Sequence, residues 1–195
     1  LFVVANPTKL TPGEQLIRTR LETTLGLVVV LRDDAAVEET AGSGIVVLSP
    51  SVADAQIAEK YDEDLGVPVV NLRRQSWPKH QLAAATATIS KPNIEITNPA
   101  HPVAAGLTGT VAVTPVKRPF GKAETSALGA GAQIVARAPG TPTTNNVVFA
   151  YDQGAALAGG ATAAAKRVAF GFDEATIGAL NADGWKLFDA AVTWT

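Results

Sequence analysis

The segment Arg73-Arg74-Gln75-Ser76-Trp77-Pro78-Lys79-His80 is the richest in chemistry-bearing side chains. Two guanidinium forks suit a carboxylate or a phosphate, and an indole face stacks on a sugar ring or on another guanidinium. Arg73, Arg74, Trp77 and His80 are therefore the expected ligand-binding residues. A plainer reading of the same residues plugs Trp77 into the core and leaves both arginines solvated. A second basic stretch, Lys117-Arg118-Pro119-Phe120-Gly121-Lys122, reads as a loop with an exposed aromatic, suited to a neighbouring domain or subunit.

Nucleophilic catalysis finds little to work with. Ser49 and Ser51 follow one apolar run and Ser76 follows the next, where α/β sheets present ligands. A serine nucleophile needs a base, and His80 and His101 are the only imidazoles. His80 comes within reach of Ser76 if that stretch is helical, but no Gly-x-Ser-x-Gly elbow surrounds any of these serines. Ser51 reads as a helix N-cap, and His101, between Ala100 and Pro102, as a residue that ties down its loop by hydrogen bonds. Two isolated histidines make a poor transition-metal site. The acidic groups Asp33-Asp34, Glu38-Glu39 and Asp62-Glu63-Asp64 lack the alternating spacing of a calcium loop. Neither Asn6-Pro7-Thr8 nor the Gly-Ala stretch 154–165 matches a nucleotide fingerprint, so no cofactor is expected.

Composition narrows the classes further. The chain has 195 residues, a net charge of -2 and 47% hydrophobic residues, enough for a sizeable core in one domain spanning 1–195. Near-neutral charge and a pI of about 5.7 argue against nucleic-acid binding. No apolar run approaches the roughly 20 residues that cross a bilayer, so membrane insertion is not expected. Leu1 to Ala5 is too short for a signal segment and reads as the first structural element. Lacking an initiator Met, the chain reads as a mature or excised segment. It contains neither Cys nor Met, which suits an oxidising extracellular or cell-surface setting.

The elements that would carry these residues alternate in the first half. Thr11-Pro12-Gly13-Glu14 is a capping box with Pro at the first helical position. A helix to about Leu25 follows, with Leu16, Ile17, Leu21 and Leu25 on one face, and Gly26 ends it. Leu27–Leu31, Gly44–Leu48 and Val67–Leu72 read as strands, the first two of them buried on both faces. Ser51 would cap a helix whose inward stripe is Ile57, Ala58, Tyr61 and Leu65. Such crossover units imply a parallel sheet with helices on both faces. The second half is rich in Gly, Pro, Thr and Ala. Its short strands at 94–97, 111–114, 133–138 and 147–151 read as antiparallel additions to the same sheet. Arg167–Phe172 reads as a returning core strand. A closing helix capped by Asn181 would turn Trp185, Phe188 and Val192 inward.

That order resembles the class I glutamine-amidotransferase-like superfamily. The resemblance also rests on His101-Pro102-Val103-Ala104-Ala105-Gly106-Leu107, on Phe149–Gly154 and on Asp183–Ala191. The ThuA-like branch, found as modules of secreted bacterial proteins, is the nearest in outline. The resemblance implies an α/β, flavodoxin-like three-layer sandwich with a mostly parallel central sheet. Amidotransferases of that superfamily attack with a Cys activated by His and oriented by Glu. This chain has no thiol, so that route is closed. The leading expectation is a non-catalytic extracellular binding, spacer or assembly module, whose partners are neighbouring domains or copies of itself. One alternative is a ThuA-like enzyme or binding protein acting on carbohydrate, which would want a carboxylate pair such as Asp152 and Asp173. Another is a self-assembling subunit of a filament or shell, in contact through residues 125–165 and the Trp-ended closing helix.

Overall fold

A computed structural model describes residues 1–140 and 144–195. Its centre is one nine-stranded sheet. Five strands run parallel: β1 (Phe2–Val4), β2 (Leu31–Asp33), β3 (Val46–Leu48), β4 (Val69–Asn71) and β11 (Arg167–Phe170). Four continue it with antiparallel pairing: β6 (Asn93–Ile96), β7 (Gly109–Ala112), β9 (Gln133–Arg137) and β10 (Asn146–Tyr151). The order across the sheet is β2-β1-β3-β4-β11-β10-β9-β6-β7. The last parallel strand in sequence therefore sits in the middle and joins the two halves. A separate antiparallel ribbon pairs β5 (Ala87–Lys91) with β8 (Arg118–Lys122).

Local sequence accounts for most of this. β1, β3, β4 and β11 are buried throughout, as uninterrupted apolar runs are when both faces are covered. Helix α1 (Pro12–Thr19) opens with the reciprocal capping box of Thr11 and Glu14, widens into a π turn at Arg20–Thr24, and stops at Gly26, whose φ is +67°. Helix α4 (Ala182–Trp194) is capped by Asn181, which accepts from the amides of Asp183 and Gly184. Phe188 and Val192 of α4 are buried and Trp185 packs on the core more loosely. Arg20 joins the two helices through Asp189 at 2.5 Å and lies 5.7 Å from the Trp185 ring. Both helices thus cover one face of the sheet.

Three expectations need correction. The run Leu27–Leu31 is not a doubly buried strand: Val28 is 92% and Val30 57% exposed, and ladder pairing begins only at Leu31. β2 is the terminal strand of the sheet, so among the described residues no strand flanks this run on its outer side. Ser51 is not a helix cap. The segment after β3 forms a single turn, α2 (Asp54–Ile57), with Ala53 at its N-cap. It ends there because the Ile57 carbonyl, which a longer helix would offer to the Tyr61 amide, accepts from His80 at 2.8 Å while that amide donates to Glu38 at 3.1 Å. Buried Arg167 donates to the carbonyls of Asp62, Leu65 and Val67 at 2.5–3.1 Å, and Tyr61 adopts a φ of +56°. The second face is consequently covered by α2 and coil rather than by a helical layer, with Ile57 and Tyr61 still buried. Finally, Lys117–Lys122 is no exposed loop. It holds β8, and Phe120 is fully buried 5.3 Å from Phe172, because Phe120 alternates inward along the ribbon.

Candidate functional site

β3, β4 and β11 end side by side, and the segments leaving their carboxyl ends surround a cavity of about 310 Å³. Pro50 comes after β3, Arg73 and Arg74 after β4, and Gly171, Asp173 and Glu174 after β11. The ribbon supplies the remaining wall through Thr88 and Gly121. Two close approaches shape this wall. A Cβ at Gly121 would lie 2.8 Å from Cβ and Cδ of Arg74, and one at Gly171 would lie 2.1 Å from the Gly121 carbonyl oxygen. Glycine at both places lets the ribbon seat against the sheet and the Arg74 stem lie flat on it.

The charged residues around the cavity differ in how far they are already engaged. Arg73 donates from Nε to Asp54 at 2.6 Å and from Nη1 to the Pro50 carbonyl at 2.9 Å. Arg74 donates only to the Thr86 hydroxyl at 3.1 Å and forms no ion pair among the described residues. Asp173 accepts from the Thr176 amide and caps the short helix α3 (Glu174–Ile177). Glu174 accepts from the Gly13 amide through Oε1 at 2.7 Å, while its Oε2 is shielded from water and has no donor among the described residues. A shielded carboxylate oxygen without a donor is costly.

Trp77 and His80 lie behind the cavity, in the core. Trp77 is fully buried, 5.1 Å from Phe149 in an edge-on contact, and its indole donates to the Asn71 carbonyl at 3.3 Å. Both nitrogens of His80 are engaged. Nε2 donates to the Ile57 carbonyl at 2.8 Å, and Nδ1 accepts from the Asn71 amide at 2.9 Å. Burial lowers the pKa of this imidazole, which keeps it neutral in that arrangement. The Ser76 hydroxyl donates to the Arg73 carbonyl at 2.8 Å and reaches the His80 ring only through the Asn71 side chain. A buried serine and a saturated imidazole cannot transfer a proton to a substrate.

Other serines meet a carboxylate instead. Glu14 is 1% exposed, and its Oε1 accepts from Ser49 at 2.8 Å and Ser51 at 2.5 Å, while Oε2 accepts from the Thr11 amide at 2.7 Å. This cluster sits where the chain leaves β1 for β2 on one side and β3 on the other, and it pins α1 to the end of β3. No imidazole reaches it. His101 ties its loop as expected, with Nδ1 accepting from the Val103 amide at 3.1 Å. Asp152 follows β10, whose end lies beside the start of β11, so Asp152 and Asp173 occupy opposite edges of the sheet. They do not form a pair across one cleft.

Sequence reasoning placed Arg73 and Arg74 at this edge and missed Glu174, Thr88 and the two glycines. A signal existed for Asp173, whose carboxyl stands three residues before Thr176 as an N-cap does. Glu174 carried none, because its position depends on β11 inserting beside β4. Among the described residues no group of three or more His, Cys, Asp or Glu could hold a metal ion. No helix among them is long and apolar enough to cross a membrane. No protein-family model matches the chain, and no curated protein is significantly similar to it.

Proposed function

We propose that this chain is a non-catalytic binding module whose cavity beside Arg74 and Glu174 takes a small polar ligand. Its setting would be extracellular, in line with the absence of Cys and Met. The reading assigns it the flavodoxin-like, three-layer outline of the amidotransferase-like superfamily in its ThuA-like branch, with no nucleophile. The supporting observation is the contrast in engagement. Ser49, Ser51, Ser76 and His80 are all hydrogen-bonded within the chain, whereas Arg74 lines the cavity with guanidinium donors left over, beside Glu174. The cavity also lies outside the carboxyl ends of parallel strands, where open α/β sheets hold ligands. Its volume stands at the lower end of the roughly 300–1,000 Å³ of small-molecule sites.

A thermal-melt screen of the purified chain against sugars, sugar acids and small carboxylates tests this. A ligand that raises the melting temperature of the parent chain and not of Arg74→Ala supports it. Steady turnover of a glycoside, ester or amide that one substitution at the cavity abolishes overturns the non-catalytic reading.

Carbohydrate is the ligand class with a specific observation in its favour. The wall offers donors from Arg74, acceptors from Asp173 and Glu174, and groups of either kind from Gln75 and Thr88, a mixture that suits polyhydroxylated ligands. The cavity has no aromatic platform, since Trp77 is in the core. Binding would rest on hydrogen bonds and be weaker than at a stacking site.

A further inference from the structure

The cavity at the carboxyl ends of β3, β4 and β11 is lined by charges of both signs that do not meet. Arg74 stands on the β4 side. Its stem lies against the ribbon, where a Cβ at Gly121 would come within 2.8 Å of it, and its Nη1 donates to the Thr86 hydroxyl at 3.1 Å. Asp173 and Glu174 stand on the β11 side. Asp173 is held by its cap: Oδ1 accepts from the Thr176 amide at 3.0 Å, and Oδ2 accepts no hydrogen bond among the described residues. Glu174 is held by the Gly13 amide through Oε1 at 2.7 Å. Among the described residues Arg74 forms an ion pair with neither carboxylate. Arg73, the other cation of the lining, is paired with Asp54 at 2.6 Å. What remains is one uncommitted guanidinium and two carboxylates around a space of about 310 Å³.

On the reading that this cavity is a ligand site, we propose that its ligand is a zwitterion, a small molecule bearing one carboxylate and one ammonium group, with the carboxylate on Arg74 and the ammonium on Asp173. The charges that each kind of ligand leaves behind select this one. A neutral ligand covers the guanidinium and both carboxylates without an ionic partner for any of them, and a buried unpaired charge is costly. A lone carboxylate pairs with Arg74, as a guanidinium fork prefers, but adds a further negative charge beside Asp173 and Glu174. A lone ammonium pairs with Asp173 and leaves Arg74 without an anion. A ligand of both signs matches both sides of the cavity. Asp173 is the ammonium partner because its Oδ2 is uncommitted, whereas Oε2 of Glu174 is shielded from water. Two sources share this chemistry, an amino acid and a sugar that carries both an amine and a carboxylate.

Titration calorimetry of the 195-residue chain with two matched sets of probes, reaching dissociation constants of about 1 mM, tests the proposal. In the sugar set glucosaminuronate bears both charges, glucuronate the carboxylate alone, glucosamine the ammonium alone, and glucose neither. In the other set glycine and γ-aminobutyrate are compared with butyrate and butylamine. At least one zwitterion is expected to bind ten times or more as tightly as every other probe of its set, and the set in which this happens tells a sugar from an amino acid. In Arg74→Gln that zwitterion binds no better than its ammonium-only match. In Asp173→Asn, where the new side chain still caps α3, it binds no better than its carboxylate-only match. A single-charge or neutral probe that binds as tightly as the zwitterions and is lost in Arg74→Ala overturns the proposal and leaves the cavity a ligand site. A zwitterion preference that survives Arg74→Gln or Asp173→Asn also overturns it. If no probe binds and the melt screen yields no ligand, the proposal and the reading of the cavity as a binding site fall together.

Discussion

Two polar clusters share the end of β4 and have opposite characters. On the core side, Asn71, Ser76, Trp77 and His80 are buried and satisfy one another. On the solvent side, Arg74 and Glu174 line a cavity, and Arg74 keeps part of its hydrogen-bonding capacity unused. Residue types alone rank the first cluster higher, because it owns the imidazole, the indole and a hydroxyl. Engagement reverses the ranking. A side chain whose donors and acceptors are all matched inside the protein holds the fold, and one with an unmatched atom at a cavity remains able to meet something else.

The largest effect that sharpens this contrast is predicted at Trp77. Trp77→Ala removes a fully buried indole and its contact with Phe149, and should cost about 3–5 kcal/mol in denaturant unfolding. If Trp77 were instead a ligand platform, the loss would appear in binding and stability would hardly change.

Arg167 comes next. It is 2% exposed and is held by main-chain carbonyls rather than by a carboxylate. Burial lowers its pKa to about 10, so it stays charged at neutral pH. Arg167→Met leaves the carbonyls of Asp62, Leu65 and Val67 without a donor and should cost about 2–4 kcal/mol. Faster amide exchange confined to residues 58–66 would show that the coil on the second face depends on this guanidinium.

His80 adds a pH dependence of defined sign. Its pKa lies below the ordinary 6.5 when folded, chiefly through burial, and returns to that value when unfolded. Between the two values the unfolded chain binds a proton that the folded chain does not. Stability is therefore full above pH 6.5 and declines as the pH falls below it. His101 is shifted in the same direction, again first by burial, and adds to the decline. Melting temperatures measured from pH 8 to pH 5 should fall on the acid side, and less steeply in His80→Gln. A flat profile would mean that the imidazole is free to protonate in place, contradicting its two-sided engagement.

How much of this was legible in the sequence depends on the range over which each feature is determined. The capping box at Thr11, the Asn181 cap and the apolar runs of β1, β3, β4 and β11 are fixed by neighbours within a few residues, and they stand where the pattern puts them. Leu27–Leu31 and the helix after Ser51 depend on long-range facts. The first needed to know that β2 is terminal, and the second that His80 and Glu38 would take the Ile57 carbonyl and the Tyr61 amide. The site divides in the same way. Arg73 and Arg74 are placed by the end of β4, whereas Glu174 joins them only because β11 pairs with β4 from about 100 residues downstream.

The smallest change in stability should accompany the most informative change in binding. Arg74→Ala removes a partly buried side chain bonded to one hydroxyl, so its unfolding free energy should move by less than about 1 kcal/mol. Glu174→Gln should be similarly mild, because the amide oxygen can still accept from Gly13 while its NH₂ brings donors to a place that has none. Any ligand that stabilises the parent chain should lose that effect in Arg74→Ala. Trp77→Phe, which keeps an aromatic ring in the core, should retain it. The two substitutions lie three residues apart on opposite sides of one turn. If both abolish the ligand's effect equally, the core cluster and the cavity are one site; if only Arg74→Ala does, the boundary between them is the turn at Arg74–Ser76.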